Sequence, residues 1–276
     1  MKTFHLHLVS DATGETNNSV ARACFVQFED VEPIEHNWSM IRTERQLEKV
    51  LAGVKANPGV VLFTMLDRRL RTRLEESCRE AMIPCISVLD PVLNVLANYL
   101  HAEARNLPGR QHMLDAEYFA RIEAMDFVMA HDDGQQLGDL ARADVVVVGV
   151  SRTSKSPTCI YLGNRGIKAA NVPLVPNMPL PPQLDGLQGP LIVGLTNDPN
   201  VLVQIRRNRL RMLNETRDTD YIDPDSVKAE VAWARRLFTE RGWPVLDVAR
   251  RSIEETAAAI MQMITERENH AEKTPA

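Results

Sequence analysis

Short β-branched runs alternate along the chain with longer stretches of helical period, the pattern of parallel strands covered by helices, and this predicts an α/β fold. FHLHLV (4–9) reads as the first strand. SDATGET (10–16) follows as a loop leading into a helix through about Phe28, with Val20, Ala23, Cys24 and Phe28 on its buried face. VVLFTM (60–65) is a second clear strand, 67–82 a charged amphipathic helix and CISVLD (85–90) a third strand, after which Pro91 suits the first turn of another helix. Together these elements predict a Rossmann-like layer over residues 1–105.

Residues 101–118, with Pro108, Gly109 and mixed charge, break the rhythm and place a domain boundary, leaving 106–276 as a second α/β region. There the pattern predicts a strand near Phe127–Ala130. DVVVVGV (144–150) is apolar on both faces and belongs at the centre of its sheet. VPLVPNMPLPPQL (172–184) holds five of the sixteen prolines and reads as an extended connector. LIVGLT (191–196), a basic helix over 199–213, a helix over 225–241, PVLDV (244–248) and a last helix over 252–267 complete the order. No internal repeat is visible.

Composition narrows the class. With 44% hydrophobic and 25% charged residues the chain is globular, not disordered or disulfide-dense. A balance of 32 Lys plus Arg against 37 Asp plus Glu, net −5, argues against nucleic acid as partner. Cys24, Cys78, Cys85 and Cys159 form no C-x-x-C pair and follow no secretory leader, so they read as reduced thiols in a cytoplasmic protein. The apolar runs fall well short of the roughly 18 residues of a membrane span. Oligomeric state is not encoded legibly, and a homodimer stays open.

The chemistry concentrates after the valine strand. GVSRTSKSPT (149–158) matches G-x-x-x-x-G-K-[ST] except that Ser154 stands for the second glycine. In such a loop, backbone amides cradle phosphate oxygens, Lys155 supplies a positive point charge and the Ser156 hydroxyl reaches Mg²⁺. An ordinary strand-to-helix turn with a solvated lysine is the competing reading, because a non-glycine residue tolerates positive φ poorly. In HDDG (131–134), Asp132 and Asp133 are expected to emerge at a strand end, where paired carboxylates hold Mg²⁺ or accept a proton. Asp133 joins Ser156 as a candidate metal ligand, and Asp-Gly as a plain turn is the bland alternative. Ser10, Asp11, Thr13, Gly14, Glu15 and Thr16 form a small loop after the first strand where a ligand could be met, and an N-cap with a capping-box-like Thr or Asp is the alternative that the residues favour. Arg206, Arg207, Arg209 and Arg211 read as a solvated basic face. His5 and His7 alternate on a strand without completing a metal set, and His131 adjoins the Asp pair.

Taken in order, SDATGET, DAEYFARIEAMDFVMAHDDG (115–134), ADVVVVGVSRTSKSPTCIYLGNRGIKAANVPLVP (143–176) and GLTNDPNVLVQIRRNRL (194–210) resemble one family. It comprises the regulatory proteins of pyruvate, phosphate dikinase and close relatives that regulate phosphoenolpyruvate synthase. The resemblance implies a P-loop kinase-like second domain and a bifunctional Ser/Thr kinase and phosphorylase. Such a protein uses ADP to phosphorylate an active-site threonine of its partner enzyme, then removes that phosphate with inorganic phosphate to release pyrophosphate. It places the nucleotide loop on Gly149, Val150, Ser151, Arg152, Thr153, Ser154, Lys155 and Ser156, with Lys155 on the transferred phosphoryl group and Ser156 on the metal. Many members have Gly-Lys-Thr where this chain has Ser154, Lys155 and Ser156. The SRTSKSP and ANVPLVP wording is nearer the dikinase branch than the synthase branch. A small-molecule kinase using ATP, or a nucleotide sensor without turnover, also accounts for the loop.

Overall fold

The computed structural model describes residues 2–104, 116–176, 178–212 and 220–273. The chain is α/β and divides into two compact units, Met1–Met113 and Leu114–Ala276. The first holds β1 (Lys2–Ser10), α1 (Glu15–Phe25), β2 (Val31–Trp38), α2 (Glu44–Ala56), β3 (Gly59–Thr64), α3 (Arg68–Glu80), β4 (Cys85–Ser87) and α4 (Asp90–Leu100). Its sheet is parallel, in the order β2-β1-β3-β4. The period of two along each strand divides the core. Val9, Val61 and Phe63 face one side with Leu47, Val50, Leu70 and Leu74 of α2 and α3, while Leu6 and Leu8 face the other with Ala21 of α1.

Two elements of this unit lie where the hydrophobic pattern assigned none. β2 carries Pro33 and mostly polar residues, which an edge strand tolerates because only one side of it must pair. α2 begins with a full capping box, Thr43 with Gln46, and buries Leu47, Val50, Leu51 and Val54. The face of α1 also differs from expectation. Its buried positions are Asn17 and Ala21, whereas Ala23, Cys24 and Phe28 are exposed. Here a short helix packs through small and polar residues, which hydrophobicity does not flag.

The second unit holds α5 (Ala116–Ala130), β5 (Val145–Gly149), α6 (Lys155–Asn164), β6 (Ala169–Pro173), β7 (Leu191–Thr196), α7 (Pro199–Met212), α8 (Pro224–Glu240), β8 (Val245–Asp247) and α9 (Ile253–Lys273). Its sheet is again parallel, in the order β6-β5-β7-β8, and the valine strand β5 is an inner strand as expected. Val146 and Val148 pack with Leu202 of α7 and with Val231 and Phe238 of α8. Val145 and Val147 pack with Leu162 of α6 and Ile260 of α9.

The strand expected near Phe127–Ala130 is the last turn of α5. Ala124, Phe127 and Val128 are buried at spacings of three and four, so a short apolar run belongs to a helix face. The proline-rich stretch begins inside β6, which reaches Pro173, and then makes a short 3₁₀ turn at Pro182–Leu184. Pro173 is accommodated because β6 is an edge strand.

Gly194 on β7 sits directly under the Phe238 ring, and a Cβ there would lie 2.6 Å from it. Gly194→Ala should therefore displace the ring and destabilise the unit by about 1–3 kcal/mol. Urea denaturation reads this as a lower midpoint, and an unchanged midpoint would mean that the ring yields without cost.

Candidate functional site

β5 ends at Gly149, whose Cα lies so close to β7 that a Cβ would come within 2.7 Å of the Leu195 carbonyl oxygen and 2.9 Å of Thr153 Oγ1. Only glycine permits that approach, and it starts the loop. Arg152 and Ser154 then adopt left-handed backbone (φ 71 and 60) on either side of buried Thr153, whose hydroxyl donates to the Val150 carbonyl at 2.9 Å. Ser154 thus takes up the conformation that its place in the motif demands, at a strain of about 1–3 kcal/mol for a non-glycine residue. Alternating backbone of this kind turns successive amides toward one point, an anion-binding nest.

Lys155 opens α6. Its side chain is buried and its ammonium donates to the Val150 carbonyl at 3.0 Å, back across the loop. Burial lowers its pKa to about 8, opposed by the negative fields of Asp133 first and Asp132 later. The solvated-lysine reading therefore does not describe this residue. Cys159, one turn further, is buried and held as a thiol by desolvation.

Asp132 and Asp133 follow α5 rather than a strand, in a 3₁₀ turn at Asp132–Gly134. Asp132 Oδ1 accepts from Ser156 Oγ at 2.8 Å and from Asn171 Nδ2 at 2.6 Å, and Asn171 Nδ2 lies 2.9 Å from Ser156 Oγ. The structure thus joins Ser156 with Asp132, while Asp133 stands exposed with φ 53. Ser156 and Asp132 offer the hydroxyl and the single carboxylate with which Mg²⁺ is commonly held in phosphate sites, the rest of its shell being water and substrate oxygens. The buried Asn171 Oδ1, which has no partner, fits such a polar shell. Among the described residues no group of three or more His, Cys, Asp or Glu forms a metal cage.

The helix read as a solvated basic face is corrected at Arg206, one of the largest fully buried side chains. Its guanidinium bonds Glu230 at 2.7 and 3.1 Å, donates to the Ser151 carbonyl at 3.0 Å and to the Tyr221 carbonyl at 3.1 Å, and stacks 4.6 Å from the Tyr221 ring. Tyr221 in turn hydrogen-bonds Ser151 through its hydroxyl at 3.1 Å. Spacing carried a signal: Arg206 follows Leu202 by four and Val203 by three, which puts it on the apolar face. Asn171 on β6 carried no such signal, because the hydrophobic pattern assigned no strand there. His131 is a strut, bonded to Asp139 at 2.6 Å and to the Phe127 carbonyl at 2.8 Å.

Among the described residues four buried side-chain atoms lack a partner: Asn17 Oδ1 in the first unit, and Thr158 Oγ1, Asn171 Oδ1 and Arg206 Nε, all on residues bordering this loop or bonded to it. Each such atom costs about 1–3 kcal/mol unless something completes it. SDATGET belongs to the first unit. Gly14 precedes α1 in left-handed backbone without a side-chain cap, so the expected N-cap is absent. Asp11 instead accepts from the amides of Leu66 and Asp67, and Ser10 accepts from Ala12 N and Thr64 Oγ1. His5 and His7 pair with His36 of β2.

A kinase/pyrophosphorylase family model matches residues 6–261. The chain is 59% identical over 273 residues to a protein from Paramagnetospirillum magneticum named as a pyruvate, phosphate dikinase regulatory protein, covering 99% of this chain and 87% of the relative. Relatives with the same name from Caulobacter vibrioides (54% identical; 95% and 83% covered) and Rhodospirillum rubrum (54%; 96% and 96%) match similarly. Among the described residues no helix is long and apolar enough to cross a membrane. Matched by that model over nearly all its length, the chain belongs to the kinase/pyrophosphorylase family.

Proposed function

We propose that this chain regulates pyruvate, phosphate dikinase by moving one phosphoryl group in both directions. It transfers the β-phosphoryl of ADP to a threonine of the dikinase, and later passes it from that threonine to inorganic phosphate. The observation that carries the reading is the buried ammonium of Lys155, folded back onto its own loop beside unpartnered polar atoms. The names that the relatives carry support the dikinase as partner.

In inactivation the threonine oxygen attacks the β-phosphorus of ADP, the bond from that phosphorus to the bridging oxygen breaks, and AMP leaves with the electron pair. The Asp133 carboxylate takes the hydroxyl proton, while Lys155 and the loop amides neutralise charge on the moving group. Ser156 and Asp132 would hold Mg²⁺, which supplies further charge neutralisation at the phosphate oxygens. In reactivation an oxygen of inorganic phosphate, seated where the AMP phosphate lay, attacks the phosphothreonine phosphorus. The bond to the threonine oxygen breaks, that oxygen takes a proton from the carboxyl, and pyrophosphate leaves.

The deciding experiment mixes the protein with dikinase and β-labelled ADP. Label is expected on the dikinase, and none from γ-labelled ATP free of ADP. Transfer only to phosphoenolpyruvate synthase, only to a small molecule, or nowhere would overturn the reading. Both directions share one site, so AMP should compete with phosphate during reactivation, and Lys155→Ala should lose both activities by 10²-fold or more, on the order of one transition-state contact. Noncompetitive AMP inhibition and a variant retaining reactivation would mean two sites.

Keeping Lys155 charged costs the fold about 3 kcal/mol, a penalty fully present below pH 8 and relieved as pH rises from about 8 toward 10.5. Lys155→Ala should therefore melt no lower than the parent at pH 7. A bound phosphate anion raises the ammonium pKa, so ADP binding at pH 8.5 should take up a fraction of a proton. Titration calorimetry in two buffers of different ionisation enthalpy measures that uptake. Equal uptake in Lys155→Ala would assign it to another group.

A further inference from the structure

Beside the first half of the loop lies a cavity of about 760 Å³, whose described lining includes Ser151, Val175, Arg206, Tyr221, Trp233 and Arg236. We propose that it receives the segment of the partner protein that carries the phosphorylated side chain, with Tyr221 and Arg236 as its recognition residues. This rests on the reading of the loop as a nucleotide-phosphate site.

Position along the loop separates this occupant from the nucleoside. In a loop of this kind the lysine meets the terminal phosphate, and the phosphate nearer the nucleoside lies toward the start of the following helix. Here the Lys155 ammonium sits on the Val150 carbonyl, one residue before Ser151, where the cavity begins. The cavity thus opens at the end where the phosphoryl group is given and taken. The nucleoside departs at the other end, toward Ser156 and Thr158, where Thr158 Oγ1 is buried without a partner.

The wall suits a phosphorylated side chain. Arg206 lines it with 1% exposure, and its Nε is a buried donor without a partner. The hydroxyls of Ser151 and Tyr221, both in the lining, bond one another, and exposed Arg236 adds a second positive charge. Glu230 also lines the cavity, but both its oxygens are taken by Arg206, which leaves Asp220 as the opposing charge. Val175, Pro176, Ala229 and Trp233 supply apolar surface for neighbouring residues of an extended segment. A lining that combines arginine and hydroxyl donors with apolar surface matches a peptide bearing one anionic group.

The test measures the KM for dikinase at saturating ADP and the ADP dissociation constant, in the parent, Arg236→Ala and Tyr221→Phe. Both substitutions should raise the dikinase KM by about tenfold while kcat falls less than threefold, and Arg236→Ala should leave ADP binding within about twofold, the signature of lost uniform substrate binding. Melting temperatures accompany each variant, since a merely structural role would lower stability and kcat together without a selective rise in KM. Weaker ADP binding with an unchanged dikinase KM would assign the cavity to the nucleoside, and no change in either constant would leave it without a ligand role; both overturn the proposal. A parent that transfers no label to dikinase fails the underlying reading, and the proposal with it. A parent that transfers normally alongside indifferent variants fails the proposal alone.

Discussion

A guanidinium with almost no access to water must find both a counter-charge and hydrogen-bond acceptors, and Arg206 meets that requirement by drawing three separate parts of the second unit together. Glu230 on α8 neutralises it, the Ser151 carbonyl brings in the loop after β5, and Tyr221 offers its carbonyl and its ring. An ion pair this deep is weak as a source of stability, because desolvating both partners offsets the attraction. Its contribution is geometric. Ser151 is held by atoms whose positions are themselves set by two packed helices, so a loop that lacks regular hydrogen bonding of its own is held from outside.

Tension in the loop follows from what lies beneath it. Lys155 and Arg206 are both cations in a desolvated region, and the field of Arg206 is among the influences that lower the Lys155 pKa. Arg152 and Ser154 hold left-handed backbone without glycine's freedom. An anion at the loop offsets the crowded positive charge and gives the donors Thr158 Oγ1 and Arg206 Nε an acceptor. Strain here is concentrated at residues with a reason to carry it.

Local features were the legible ones. The loop from Gly149 to Ser156 could be read because its residues are consecutive and its chemistry lies in their order. β5 was legible because an uninterrupted valine run suits a strand covered on both faces. The Arg206 contact to Ser151 joins residues 55 apart, and the Asn171 contact to Asp132 joins residues 39 apart, distances over which no pattern of spacing operates. The misplaced strand near Phe127 has another cause. Four apolar residues fit either period, and only the buried Ala124 further back shows that the helical one applies. α2 had its full signal in Thr43 and Gln46, which lie between the mostly polar edge strand β2 and the more hydrophobic β3.

The two sheets share one strand order, and every described ladder closes within its own unit. Parallel strands pair only after the crossover between them is in place, so each sheet must assemble from contacts distant in sequence, which makes it slow to form. During synthesis every strand of the β1–β4 sheet has been made before Gly149 and the loop that follows it. The site's chemistry therefore waits on the later sheet. A polypeptide stopped near residue 113 holds every strand of the first sheet and none of the residues that could touch a phosphate in the second.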